Sequence, residues 1–150
     1  MTLTVQEYAA RALEKGAEDL ITAAQATPVD QRAWQPLERG RTVVDQVAEC
    51  AMINGGSAEV VKNRAWGNPD MAEWRQAQAA LDTLEKAVAR LREGTAALTA
   101  AVRATPDEVL ELEITLPWAT RSLADVFLLP YWNMSYHEGQ IVYIQNLGKG

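Results

Sequence analysis

The run from Trp74 to Val102 constrains this chain more than any other feature. Trp74, Ala77, Leu81, Leu84, Val88, Leu91, Thr95, Leu98 and Val102 follow one another in alternating steps of three and four. A stripe of that period is one face of an α-helix, and its narrowness is that of a helix packed among antiparallel neighbours. Asn68-Pro69 ahead of it supplies a cap and a proline for the first helical position. The pattern therefore predicts one long third helix, ending before Thr105-Pro106. Such a helix must bury its stripe, and a chain of 150 residues can supply the partners from a single domain.

The other helices announce themselves by their starts. Thr4 with Glu7 has the capping-box spacing, in which a hydroxyl takes an orphan amide and the carboxylate reaches back. Ala9, Leu13, Gly16, Leu20 and Ala23 then recur at helical spacing, which predicts a first helix over about residues 4–26. Thr27-Pro28 punctuates the chain, and Asp30 to Arg39 reads as a loop or single turn. A second helix starts at Thr42, with Asp45 at the third position, and carries Val43, Val47, Cys50, Asn54 and Val61 on one face. Gly55-Gly56 inside it marks a place where another helix comes close. Ser122 with Asp125 caps a last helix, in which Pro130 predicts a kink or restart and Gly148 a stop.

Between the third and last helices the period changes. Leu110, Leu112, Ile114 and Leu116 alternate with Glu111, Glu113 and Thr115, the pattern of a half-buried strand. One strand needs a partner, and the Trp118 to Arg121 segment is placed to form a small hairpin with it. The expected architecture is all-α: one domain over residues 1–150, a four-helix bundle with a long connection between helices three and four that contains a short β-like segment.

Composition limits the function. Lys plus Arg is 14 and Asp plus Glu is 20, a net charge of -6, which argues against nucleic acid and against an anionic membrane surface. No apolar stretch approaches membrane-spanning length, and the charged N-terminal segment lacks the apolar core of an export signal. A cytoplasmic protein is the expectation. Cys50 is the only cysteine, so an internal disulfide and a Cys-based zinc cluster are excluded. His137 is the only histidine, which excludes a three-His metal site within one chain.

His137 lies one helical turn after Asn133, and Ile141 and Ile144 follow on the same stripe as Val126. An imidazole and a carboxamide on a face that should be buried need hydrogen-bond partners or a metal. The ordinary reading of a lone histidine there is a satisfied core residue. The functional one is a metal ligand. Glu49, in the apolar run VAECAMI, lies about 90–110° from the centre of its helix stripe, an edge position compatible with a site or with solvent. Asp45 is one turn before it. Cys50 has no basic neighbour in sequence and reads as a buried structural thiol. Trp118, Tyr131, Trp132, Tyr136 and Tyr143 crowd around the last helix as core and dimer packing, or as a pocket wall.

Three segments carry a family resemblance. They are DQRAWQP with the following GRTVVDQVAECA, then ELEITLPW, then YWNMSYHEGQIVYIQNLG. The resemblance covers nearly the whole chain, which resembles the DinB-like (YfiT-like) superfamily of metal-binding four-helix bundles. The resemblance implies three metal ligands at one end of the bundle, one from the second helix and two from the fourth, four residues apart. These are usually histidines, with a glutamate at one fourth-helix position in the thiol-dependent isomerase branch. Here the three positions fall on Glu49, Asn133 and His137, so only His137 keeps the usual ligand type.

Two functions follow as expectations. The first is an enzyme of that family's type, a hydrolase or a thiol-dependent transferase or isomerase. It would use Zn, Ni, Mn or Fe held by Glu49, Asn133 and His137, with a pocket lined by Tyr131, Trp132 or Tyr136 for a small-molecule or thiol substrate. The second is a homodimeric small-molecule-binding or structural bundle whose metal site is degenerate. There the Glu49 carboxylate accepts from the His137 ring, Asn133 fills a remaining polar need, and the Ala-rich first and aromatic-rich last helices form the dimer seam.

Overall fold

A computed structural model describes residues 2–148. The elements are α1 (Val5–Gln25), α2 (Val43–Asn63), α3 (Met71–Ala79), α4 (Leu84–Arg103), β1 (Glu113–Leu116), β2 (Ala119–Ser122) and α5 (Leu123–Gly148). The four long helices form the bundle. Each of α1 and α2 packs against both α4 and α5, so α1 and α2, although consecutive, lie on a diagonal. Short α3 sits outside, against α2.

Three of the caps hold as the sequence predicts. Thr4 Oγ accepts from the Glu7 amide at 3.1 Å, Thr42 from Asp45 at 3.0 Å, and Ser122 from Asp125 at 3.1 Å. Each hydroxyl satisfies one amide that the helix itself cannot. The Glu7 carboxylate does not reach back; it is drawn instead to Arg11 and Arg103.

The long third helix does not form as one piece. It is broken at residues 80–83, where the Thr83 hydroxyl accepts from the Lys86 amide at 3.2 Å and starts α4 afresh. Asp70, not Asn68, caps α3, accepting from the amides of Ala72 and Glu73. Asn68 has a left-handed backbone with φ 47°. The stripe is buried from Leu84 to Val102, but Trp74 and Leu81 are only half-buried and Ala77 is exposed. A periodic stripe reports that residues share a face; it does not report an interruption that a second cap makes favourable.

The connection forms the hairpin, with Ile114 opposite Arg121 and Leu116 opposite Ala119. Ile114 and Leu116 face the core. The alternation begins later than the sequence suggests, since Leu112 is exposed and Leu110 lies in a turn. The Leu110 and Leu112 carbonyls instead accept from the amides of Ala124 and Leu123, which ties the hairpin to the start of α5. The α5 helix then runs through buried Pro130 without a restart. The missing proline N–H removes one bond from a 26-residue helix that is held by packing on α1 and α2. The stop expected at Gly148 falls on the last residue of α5, and residues 149–150 lie outside the described residues.

The Gly55-Gly56 expectation is met. A Cβ on Gly94 of α4 would lie 2.9 Å from the Gly55 nitrogen and 3.1 Å from the Ala51 carbonyl oxygen, so α2 and α4 touch backbone to backbone. Beside this contact, Asn54 donates to Thr95 Oγ at 2.9 Å, which accounts for a threonine in the α4 stripe.

Gly94→Ala is expected to destabilise the fold by about 1–3 kcal/mol, because neither facing atom is a movable side-chain end. Gly139→Ala, in α5 with nothing within 4 Å of the new methyl, should stabilise it by about 0.5–1 kcal/mol. Urea unfolding of the two variants checks both signs.

Candidate functional site

His137 is turned inward and is almost fully buried, at 3 % exposure. Its stripe on α5, with Met134 and Ile141, faces the core. At that depth each ring nitrogen needs a partner, and both partners come from α2. Gln46 Oε1 lies 2.8 Å from Nδ1, and Glu49 Oε1 lies 3.2 Å from Nε2. Gln46 and Glu49 are three residues apart, so one turn of α2 presents both side chains to the same ring.

The Gln46 amide fixes how this works. Its nitrogen is directed at the Arg41 carbonyl, 3.4 Å away, which leaves its oxygen to accept from Nδ1–H. Nε2 then faces a carboxylate. Glu49 is bonded on its other side as well, where Arg41 Nη1 donates to Oε2. Arg41 also pairs with Asp45 at 2.7 Å, and Asp45 accepts from Gln78 Nε2 at 3.0 Å. The chain of contacts is therefore Gln46, His137, Glu49, Arg41, Asp45, Gln78.

Hydrogen bonding from His137 and from Arg41 holds the Glu49 carboxyl down to about 2, against a partial desolvation that opposes it. A carboxylate this acidic stays ionised and is a weak general base. Burial pushes the Cys50 thiol well above its usual range, which matches the structural role expected of it.

Of the residues expected at a metal site, the structure brings Glu49 and His137 together. Among the described residues Asn133 is hydrogen-bonded to neither of them, although it shares the cleft wall with Glu49. Asn133 is half-buried, and its amide nitrogen lies 3.5 Å from Cys50 Sγ. The donor chemistry does not fit a resident transition metal. Only one carboxylate and one imidazole converge, and the second carboxylate oxygen is already committed to a guanidinium, whose charge disfavours a second cation beside it. Among the described residues no group of three or more His, Cys, Asp or Glu is placed around one point.

Next to this network lies a half-open cleft of about 510 Å³. Its walls are Glu49, Ile53, Ser57 and Val60 of α2, Met71, Trp74, Arg75 and Gln78 of α3, Trp66 and Trp118 from loops, and Val126, Leu129, Trp132 and Asn133 of α5. Trp66 and Trp118 meet edge to face, 5.9 Å between centroids. A Cβ on Gly56 would lie 2.7 Å from the Trp74 ring, so this glycine seats the indole.

The aromatic expectation needs correction. Trp132 lines the cleft, but Tyr131 and Tyr136 do not. The Tyr131 ring covers Gly16 of α1. Tyr136 stacks on Trp132 at 5.6 Å and sets its edge against His137. Trp118, Tyr131, Trp132, Tyr136 and Tyr143 are all substantially exposed, so they do not form a core within this chain. Sequence reasoning missed Arg41, Gln46, Trp66 and Arg75. Gln46, three residues before Glu49 on the same helix, carried a usable signal; Trp66 and Arg75 carried none, because the cleft is assembled from distant segments.

The four long helices and the hairpin between the last two define the class by fold, a four-helix bundle of the YfiT type. It is similar over 96% of this chain and 87% of the other to YfiT from Bacillus subtilis, described as a probable metal-dependent hydrolase with an unusual four-helix bundle topology, with a TM-score of 0.79 at 19% identity. It is also similar to a mycothiol-dependent maleylpyruvate isomerase, with a TM-score of 0.70 at 13% identity, covering 94% of this chain and 63% of the isomerase. An uncharacterised protein from Clostridium difficile 630 matches end to end, with coverage of 98% and 99% and a TM-score of 0.76 at 14% identity. At these identities the likeness is one of fold. No family model matches the chain, and no curated protein matches it in sequence. Among the described residues no helix is long and apolar enough to cross a membrane.

The carboxyl of Glu49 gives a pH signature. Its folded value, about 2, lies below the ordinary 4.5, so its contribution is fully present above 4.5 and is lost as pH falls toward 2. After discounting for solvent screening it is about 1–2 kcal/mol. Urea midpoints of wild type and Glu49→Gln should therefore differ at neutral pH and converge as the acid range is entered; a gap that stays constant through that range would contradict the ion-pair assignment.

Proposed function

We propose that the chain is a small-molecule-binding DinB-like protein, whose ligand enters the tryptophan-lined cleft and whose former metal position is taken by the hydrogen-bonded network of Glu49 and His137. The cleft carries this reading. It has the volume of an ordinary ligand site, predominantly apolar walls and a few polar groups at defined points. Four indoles offer large rigid surfaces for a flat apolar body. Glu49 forms part of the wall, so a ligand meets the network through its carboxylate and not through the buried imidazole.

The competing reading is a metal-dependent hydrolase or a thiol-dependent transferase or isomerase. The likeness in fold to proteins so described favours it, and the donor set weighs against it. Homodimerisation belongs to either reading, and the exposed aromatic face of α5, with Tyr136 and Tyr143, is the surface we assign to it.

Elemental analysis of protein purified without a His tag separates the readings. The expected result is well under one transition metal per chain. We further expect Asn133→His combined with Arg41→Gln to gain zinc binding in calorimetry, since it adds a ligand and frees the second Glu49 oxygen. Stoichiometric metal in wild type, lost in both Glu49→Ala and His137→Ala, would overturn the proposal and restore the enzyme reading.

A further inference from the structure

We infer that the ligand of this cleft is an amphiphilic anion: a flat apolar body carrying a carboxylate, or an acid group of the same charge, that is read by Arg75. This rests on the cleft being a ligand site, as proposed above.

The charged groups of the wall are not equally committed. The acceptors of the lining carboxylate are already used. Both Glu49 oxygens are engaged, one by His137 Nε2 and one by Arg41. The donor side is not. Among the described residues Arg75 makes no ion pair and no hydrogen bond, although it lines the cleft beside Trp74 on α3. The Ser57 hydroxyl, half-buried in the opposite wall, also has no protein partner. The Asn133 amide has only the weak contact to Cys50 sulfur. The Gln78 and Asn133 amide oxygens are neutral acceptors and the Ser57 hydroxyl can donate or accept, so the one charged lining group without a partner, the Arg75 guanidinium, is a donor, and it suits an acidic acceptor on the ligand.

Charge leads the same way. Glu49 is paired with Arg41, which it shares with Asp45, and its other oxygen faces His137 Nε2. The lining charge left without a partner is the Arg75 guanidinium, on a chain whose overall charge is -6. A cationic ligand would have an aromatic cage available, but it would find the only lining carboxylate already neutralised and a guanidinium facing it. The anion is favoured because its acid group would pair with the cation that has no partner in the chain, while its apolar body displaces water from the indoles.

Three probes that share one body and differ in charge test this: the naphthylacetate anion, neutral naphthylethanol and the naphthylmethylammonium cation. Calorimetric titration of the wild-type protein should show the anion binding about tenfold or more tightly than either other probe, a difference of about 1.4 kcal/mol that shrinks as salt is added. Exposed Arg75 can be changed without disturbing the core, so Arg75→Gln should bring the anion down to the level of the neutral probe. Trp118→Ala should weaken all three together. Equal binding of acid and alcohol, unaffected by Arg75→Gln, would overturn the anion assignment while leaving the cleft as a ligand site. No heat from any probe with folded wild-type protein would remove the cleft reading itself, including the case in which a second copy covers the indoles.

Discussion

A single imidazole buried between two helices sets the terms for the rest of the site. His137 has almost no contact with solvent, so both its nitrogens must be bonded within the protein. Gln46 and Glu49 meet that demand from one turn of α2, and in doing so they fix the rotation and register of α5 against α2. A slide of either helix by one residue would leave a ring nitrogen or a buried amide without a partner, at a cost of about 1–3 kcal/mol. The Glu49 carboxylate is thereby held where Arg41 reaches it, and the network extends through Asp45 to Gln78 on α3. The placement of α3, and with it Trp74 and Arg75, is therefore linked to the same ring.

The same network holds this end of the bundle together through the chain's own charges. In a metal centre the cation holds the converging side chains together. Here a guanidinium from just ahead of the α2 cap lies against the carboxylate on the side away from the imidazole. The positive charge is covalently attached and cannot be lost to a chelator. It also supplies no open coordination position, which is what a hydrolytic or thiol-activating centre needs. Under the binding reading the bundle end is a fixed polar network beside an apolar cleft, and the function lies with the tryptophans. Fold likeness to metal-dependent proteins does not carry their chemistry across, because the chemistry resides in the donors.

Local signals in the sequence held at three helix starts and at the hairpin, and failed at Asn68 and in the Glu7 half of the capping box. The caps at Thr4, Thr42 and Ser122 form because a hydroxyl next to free amides needs nothing distant. The glycine pair in α2 marked a close helix approach, and the switch from period 3.6 to period 2 marked the hairpin. The break at residues 80–83 was not legible, since the apolar stripe keeps phase across it while Thr83 opens a new helix. The inward turn of His137 toward Glu49 was an expectation that the structure meets. Asn133 shares the stripe on paper but ends against Cys50, because neighbouring positions on one helix face can point to different partners.

The amino-acid sequence by itself determined the fold class, the starts of α1, α2 and α5, the burial of the one histidine and the scarcity of His and Cys ligands, since these follow from periodicity, cap chemistry and residue counts. Only the tertiary structure decided that Gln46 and Arg41 complete the network, that Tyr131 and Tyr136 stay out of the cleft, and that Trp66, Trp74, Trp118 and Trp132 share one. The reason is physical: these groups lie far apart along the chain, and no local rule ties their side chains together until the helices pack.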